Sequence, residues 1–334
     1  MLDLRRLKIL REFAEHGTIA GTAQALGYTA SAVSQQLSAL EREVSASLLD
    51  RTARSAELTD TGRLLAEQAE QILALVEAAE SALAAQTDVP RGRVTVTAFP
   101  TAAVAFAPKL AEILRRHERM QLVLRQAMEG TGAHKVSAGE IDVAVVDDWS
   151  GLAPDTRAGK LRHIHLLRDP MVLALPADHP LADPRRPVDL HRLRDEAWIA
   201  APHGEPSRQG TDRLLADIGG APSAAWEFEG LGTILSLVAR GIGIAAVPAL
   251  ALVSGSSGLA YRRFPEDAPS RDIYAVIRAS SLRRPSIDVT LRALLTAASE
   301  MDETLSDTLE SEGHGGILRR PDPGTPGGGD QPSA

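Results

Sequence analysis

Residues 18–40 read TIAGTAQALGYTASAVSQQLSAL, and two helices joined by a tight turn fit them. Thr18 and Thr29 stand where N-caps belong, and Gly27-Tyr28 supplies the turn. Ala23 precedes Gly27 by four residues and Val33 follows it by six. A helix-turn-helix needs a small residue where its helices cross, a glycine in the turn and a branched apolar anchor in the second helix. Leu26 and Leu37 complete the buried face. The other face of the second helix carries Ser31, Ser34, Gln35 and Ser38, with Gln36 partly turned away. Short hydroxyls and amides hydrogen-bond base edges and phosphates when a helix enters a major groove. Small helical bundles produce the same pattern, so the stretch alone leaves both readings open.

Toward the N-terminus, Leu4, Leu7, Leu10 and Ala14, with Phe13 beside them, form an apolar face at helical spacing behind an Asp3 cap. Toward the C-terminus, residues 59–86 contain no proline, and their one glycine, Gly62, falls in the first turn. Leu65, Ala69, Ile72, Val76, Ala79 and Leu83 make a heptad seam flanked by Glu67, Gln68, Gln71, Glu77 and Glu80. Such a helix is about 40 Å long. The seam predicts pairing with a second chain. Packing on its own domain is the alternative.

Beyond Asp88-Val89-Pro90-Arg91-Gly92 the pattern changes to alternating strands and helices. Strands are predicted over 93–98, 122–125, 141–146, 164–167, 171–175, 197–200, 225–228, 242–247 and 271–277. Helices are predicted over 101–117, 209–218, 233–239 and 286–298. Asp169-Pro170 reads as a break between two strands. The alternation predicts mostly parallel sheets, and the length of the segment predicts two lobes. Residues 301–334 are rich in glycine and proline and read as a disordered acidic tail.

The formal net charge of −8 is unevenly placed. Residues 300–334 hold eight acids against Arg319 and Arg320, whereas residues 1–63 balance eight bases with eight acids. Global charge therefore neither favours nor excludes nucleic acid. The chain has no cysteine, which excludes disulfides, thiolate metal sites and cysteine nucleophiles. No apolar run reaches the ~20 residues of a membrane helix, and the N-terminus lacks a signal region. A cytoplasmic protein is expected. His163 and His165 share a strand face but no third metal ligand stands at suitable spacing. Gly241-Ile242-Gly243 lacks the third glycine of a dinucleotide fingerprint, and no Walker loop or base-paired nucleophile stands out. No enzymatic activity, metal or cofactor is expected.

The residues after the helix-turn-helix sharpen the reading. Leu48-Leu49-Asp50-Arg51-Thr52-Ala53-Arg54 leads to Leu58-Thr59-Asp60-Thr61-Gly62. With Phe13, Ala23, Leu26, Gly27, Ala32-Val33-Ser34-Gln35-Gln36-Leu37 and Leu40-Glu41, this closely resembles the DNA-binding domain of LysR-type transcriptional regulators. The resemblance continues in Gly139-Glu140-Ile141-Asp142-Val143-Ala144-Val145, in Leu173-Ala174-Leu175-Pro176 with His179-Pro180-Leu181-Ala182, and in residues 237–244 with Val247-Pro248. It covers roughly residues 2–299, with separate blocks in the right order.

That resemblance implies a winged helix-turn-helix over 1–58 and a dimerising linker helix and hinge over 59–90. It implies a two-lobed, periplasmic-binding-protein-like α/β effector domain over 91–300. Lobe I takes about 91–163 and 267–300, and lobe II about 164–266. The expected partners are a double-stranded DNA operator, a small-molecule effector and further copies of the chain, as a homodimer or dimer of dimers. Ser31, Ser34 and Gln35 fall where the family's recognition helix meets DNA, and Arg51 and Arg54 at the wing. An arginine pair beside a turn can neutralise phosphate. Three features depart from the family pattern: the Gly21-Thr22 pair in the first motif helix, Glu57 before Leu58, and Asp50 beside Arg51. A solute-binding or sensor protein without sequence-specific DNA binding is the alternative, but it has no use for a wing.

In two-lobed folds small ligands bind at strand C-terminal ends between the lobes. Pro100, Thr101 and Ala102 open a helix whose free N–H groups could hold an anion. In the family this turn is an effector contact. Asp147 ends a strand near the same cleft, or turns the chain with Asp148. On the other lobe, His203, Ser207, Arg208 and Thr233 are candidate walls. Arg208 could pair an anionic effector or be a surface charge.

Overall fold

The computed structural model describes residues 1–51, 56–85, 89–127, 130–151, 160–183, 190–216, 226–254, 257–264 and 268–311. The chain opens with α1 (Leu4–His16), α2 (Ile19–Leu26) and α3 (Ala30–Val44). Their caps sit where the sequence puts them. Asp3 Oδ1 accepts from the Arg5 amide at 2.7 Å, Thr18 Oγ1 from Gly21 at 3.0 Å and Thr29 Oγ1 from Ala32 at 3.2 Å. Gly17 and Gly27 end α1 and α2 at φ 65° and 68°, a conformation that costs glycine little. Leu7, Ile9, Leu10, Phe13, Ala23, Val33, Leu37 and Leu40 bury together. Leu4 and Ala14 lie on the solvent side instead, and Ile9 belongs to the core.

Strands β1 (Leu49–Arg51) and β2 (Ala56–Leu58) pair antiparallel as a small wing. Glu41 fastens it to α3: Oε1 accepts from the Leu48 and Leu49 amides at 3.0 and 3.1 Å. Helix α4 (Asp60–Ala85) follows, capped by Thr59 Oγ1 on the Gly62 amide at 3.0 Å. Its heptad seam divides. Ala66 and Ala69 are buried in the core of the first three helices, with Leu65 and Ile72 partly buried beside them. The first half of the seam therefore packs on its own domain, because α1 lies along it. Farther on, Val76 is half-buried and Ala79 exposed, Leu83 is 64% exposed, and Leu75 beside the seam is 71% exposed.

Strands β3 (Gly92–Ala98), β4 (Met120–Gln126), β5 (Val143–Asp148), β6 (Leu161–Pro176), β7 (Ile199–Ala200), β8 (Trp226–Glu227), β9 (Ala245–Pro248), β10 (Leu259–Arg263) and β11 (Ser270–Arg278) form the rest. One mixed sheet runs β10-β6-β11-β5-β3-β4, with β9 also on β6. Among the described strands, β3 pairs parallel with β4 and β5, and β7 with β8, whereas β6 pairs antiparallel with β9, β10 and β11 and β11 antiparallel with β5. The expectation of mostly parallel sheets is corrected, because β6 and β11 are strands that run between the lobes in opposite directions.

Strand β6 also runs straight through Asp169-Pro170, where a break was expected. Pro170 stands opposite Ser270, and from Met171 onward β6 pairs with β9 and β10 rather than β11. A residue without an N–H donor is tolerated where a strand changes partner. Pro170 is therefore the point at which β6 passes from β11 to β9 and β10. Helices α5 (Pro100–Arg116), α6 (Gly132–Ser137), α7 (Pro206–Leu215), α8 (Leu231–Val238) and α9 (Pro285–Ser311) cover the sheets. Neither α6 nor β10 is evident from the sequence pattern.

Helix α9 overturns part of the tail reading. Residues 301–311 continue it, because Leu305 is buried and Met301 packs on the main core. Residues 312–334 lie outside the described residues. Among the described residues no helix is long and apolar enough to cross a membrane.

Candidate functional site

The outward face of α3 presents Ser31 and Gln35 fully, and Ser34 and Ser38 in part. Gln36 is turned away as expected: its Oε1 accepts from Arg6 Nε at 3.1 Å, and Arg6 also pairs with Glu43. Ser38 lines a shallow depression of about 420 Å³ with Glu41, Arg42 and Ser45. Arg51 lies in β1 opposite Ala56. Arg54 lies outside the described residues. Glu41 belongs to the residues that carry the family resemblance, but its role as the wing's anchor shows only in the structure.

The second site lies where β3 ends. Phe99 occupies the N-cap of α5 without a capping side chain, and Pro100 follows it. Pro100 has no N–H, so the Thr101 and Ala102 amides are the uncapped donors of that turn. Thr101 is buried, and its Oγ1 accepts from Arg271 Nη2 at 3.0 Å. Arg271, at the start of β11 and 4% exposed, organises the cleft. Its Nε donates to Asp169 at 2.9 Å and its Nη1 to Asp147 at 3.0 Å. Phe99 and Trp149 lie against the guanidinium, with ring centroids 4.6 and 5.7 Å away. Burial pushes the Asp169 carboxyl up, while Arg271 and the Leu250 amide, 2.8 Å away, pull it down. Arg271 escaped the sequence reading because nothing but its position distinguishes it from the other arginines.

On lobe II, Arg208 is not a surface charge. It is 4% exposed, and its donors meet Asp212, Glu227, the Ala201 carbonyl and His203 at 2.8–3.1 Å. It holds α7 to β7 and β8 rather than offering a vacant guanidinium. Ser207 is half-buried next to it and His203 is exposed. Trp149 connects the two walls. Its Nε1 donates to Asp147 at 3.1 Å, its ring lies against Gly210, and its carbonyl accepts from Arg213. Thr101, Asp147 and α7 thus meet through Arg271 and Trp149. Thr233 is exposed on α8, and among the described residues no hydrogen bond joins it to that group. His163 and His165 do flank one tyrosine, Tyr274, but His165 is bonded to Asp272.

A wing behind a three-helix core, ahead of two lobes crossed by β6 and β11, is an arrangement that comparison with known proteins resolves. Residues 4–63 match the family described as bacterial regulatory helix-turn-helix protein, lysR family, and residues 87–299 match the LysR substrate binding domain. The chain belongs to the LysR family of transcriptional regulators. It is a DNA-binding transcription factor with an effector-binding domain.

This LysR-type regulator is 28% identical over 289 residues to the uncharacterized HTH-type transcriptional regulator YvbU of Bacillus subtilis, covering 86% of this chain and 93% of that one. It is 25% identical to the DNA-binding transcriptional dual regulator OxyR of Escherichia coli, covering 88% and 95%. A full-length cysteine-to-aspartate variant of OxyR from Pseudomonas aeruginosa shares the fold, with a TM-score of 0.63, 21% identity and coverage of 88% and 95%. A cysteine-to-serine variant of OxyR from Corynebacterium glutamicum gives a TM-score of 0.55 at 24% identity over 92% and 95%.

Proposed function

We propose that this LysR-type regulator binds its operator as a homodimer or dimer of dimers in the cytoplasm and responds to a small organic anion in the interlobe cleft. One observation carries the effector reading. Two uncapped amides, on Thr101 and Ala102, open α5 beside a guanidinium held between Phe99 and Trp149. Helix N-termini and arginine both favour carboxylates. Asp147 is the outer of the two carboxylates on Arg271, with its side chain 22% exposed against 0% for Asp169. An incoming carboxylate replaces Asp147 on Arg271, and the released Asp147 loosens Trp149 from α7. The two lobe arrangements then differ in effector affinity, which is what coupling to DNA requires.

Ser31, Ser34, Gln35 and Ser38 are assigned to the operator's major groove, and Arg51 and Arg54 to its backbone. His203 and Ser207 are assigned to the far wall of the cleft, and Thr233 to its rim. The exposed Leu75 and Leu83 on α4 support pairing of chains along the second half of that helix. No turnover is assigned: the charged groups of the cleft, Arg271, Asp147 and Asp169, pair with one another. The chain has no cysteine, so peroxide sensing through a thiol is not its mechanism.

Thermal shifts with a panel of small carboxylates test the effector reading. A stabilising compound should lose most of its effect in Arg271→Lys, which keeps the charge but not the forked donors. A panel without any hit, or a hit indifferent to that change, would sink it.

A further inference from the structure

Away from the cleft, the DNA-binding domain meets lobe I through a cluster of metal-ligating side chains. Helix α1 sets Glu12, Glu15 and His16 on one face, at the i, i+3 and i+4 spacing that brings side chains together. That face meets α6 and the turn after it, which bring His134 and Glu140. His134 Nδ1 lies 2.7 Å from Glu15 Oε1, and the His16 and His134 rings meet edge-on with centroids 6.1 Å apart. Arg11 also crosses the junction to the Ala138 carbonyl.

Two atoms in this cluster are buried without hydrogen-bond partners: Glu12 Oε2 and His16 Nε2. Glu12 is 0% exposed, and the two atoms lie 3.8 Å apart. Arg11 satisfies only the other carboxylate oxygen. A buried carboxylate oxygen and an imidazole nitrogen left bare together are costly unless a third group lies between them. The donor atoms of Glu15, His16 and His134 fall within 4.8 Å of one another, and so do those of Glu12, His16 and Glu140. Bonds of about 2.0–2.2 Å to a tetrahedral ion place its ligand atoms about 3.3–3.6 Å apart, so the set closes by at most roughly 1.5 Å on binding.

We propose that Glu15, His16 and His134, the triad that joins the two domains, bind one zinc-class divalent cation between α1 and lobe I, with Glu12 and Glu140 close to His16. Two imidazoles with carboxylates select zinc, cobalt or nickel over magnesium or calcium. Glu12, Glu15 and Glu140 gather three carboxylates around His16. A dication offsets that accumulation. The ion ties the domain that reads DNA to the domain that senses the effector, so its occupancy sets how freely one moves on the other. The site stands apart from the interlobe cleft and does not depend on the effector reading.

The test uses full-length protein stripped with a chelator and titrated with Zn²⁺ by calorimetry, with Co²⁺ absorbance reporting ligand geometry. One site per chain with micromolar or tighter affinity is expected, together with a higher melting temperature in Zn²⁺. His16→Gln and His134→Gln should each weaken binding at least tenfold. A His163→Gln/His165→Gln double variant should bind as the parent does. Absence of binding at 100-fold excess Zn²⁺ would overturn the proposal, as would full affinity in either His16→Gln or His134→Gln. His134 is on the surface of α6 and its side chain is 42% exposed, so that variant folds even if His16→Gln does not.

Discussion

Asp50 and Glu57 stand directly opposite each other across the wing, one on β1 and one on β2, and both are exposed. Like charges in facing positions disfavour a two-stranded ladder by a few tenths to about 1 kcal/mol. In a wing that lies over phosphate they also repel the ligand. Glu57→Gln is expected to tighten operator binding several-fold, and Glu57→Lys to add about one unit to the salt slope. Anisotropy titrations over a range of salt concentrations measure both. Unchanged slopes would place this edge of the wing away from the DNA backbone.

Gly210 gives α7 the closeness to Trp149 that joins the lobes. A Cβ there would lie 3.0 Å from Trp149 Cε3 and closer still to Cζ3. Gly210→Ala forces the indole out of its pocket among Leu173, Trp198 and Leu214. Overpacking of this kind costs about 1–3 kcal/mol, or several degrees of melting temperature. Tryptophan emission should shift to the red as Trp149 meets water. An unaltered melt and spectrum would show that the lobes part easily at this point.

The ends of the first three helices were legible for local reasons. Asp3, Thr18 and Thr29 are caps with hydroxyl or carboxylate oxygens, Gly17 and Gly27 are left-handed stops, and such signals act over four residues. Thr101 was legible in the same way, as the first turn of a helix behind a strand. Arg271 and Trp149 were not. They enter the cleft by pairings between strands far apart in sequence, β5 with β11 and β11 with β6, that no local pattern encodes. The seam of α4 was ambiguous for a related reason. Ala69 and Ile72 satisfy a heptad whether the surface they meet belongs to a second chain or to α1. The cluster of His16 and His134 joins donors from two domains, so neither spacing looks like a ligand set.

Leu305 makes the C-terminal helix a structural element rather than the start of a tail. It is 6% exposed and contributes to the main core, with Met301 packed beside it. Deleting residues 302–334 removes that side chain and is expected to destabilise the protein by about 2–3 kcal/mol. Deleting only residues 312–334 should leave the urea midpoint where it is. Equal midpoints for both truncations would show that the last turns of α9 add nothing to the fold.

His163 gives the stability of lobe I a dependence on pH. It lies on β6 with Nδ1 buried and unpartnered, its ring edge-on to Tyr274 at 6.3 Å. Burial lowers its pKa below the ordinary 6.5, so the folded chain refuses a proton that the unfolded chain accepts. The stability it contributes is complete above about pH 6.5 and is lost as pH falls through that value toward the folded pKa. His163→Gln removes this titration, so the variant should lose less stability than the parent between pH 7.5 and pH 5. His165, held by Asp272 at 2.9 Å, is present in both proteins and cancels from the comparison. Urea midpoints at the two pH values decide it. Parallel losses in parent and variant would mean that the imidazole is solvated well enough to protonate in place.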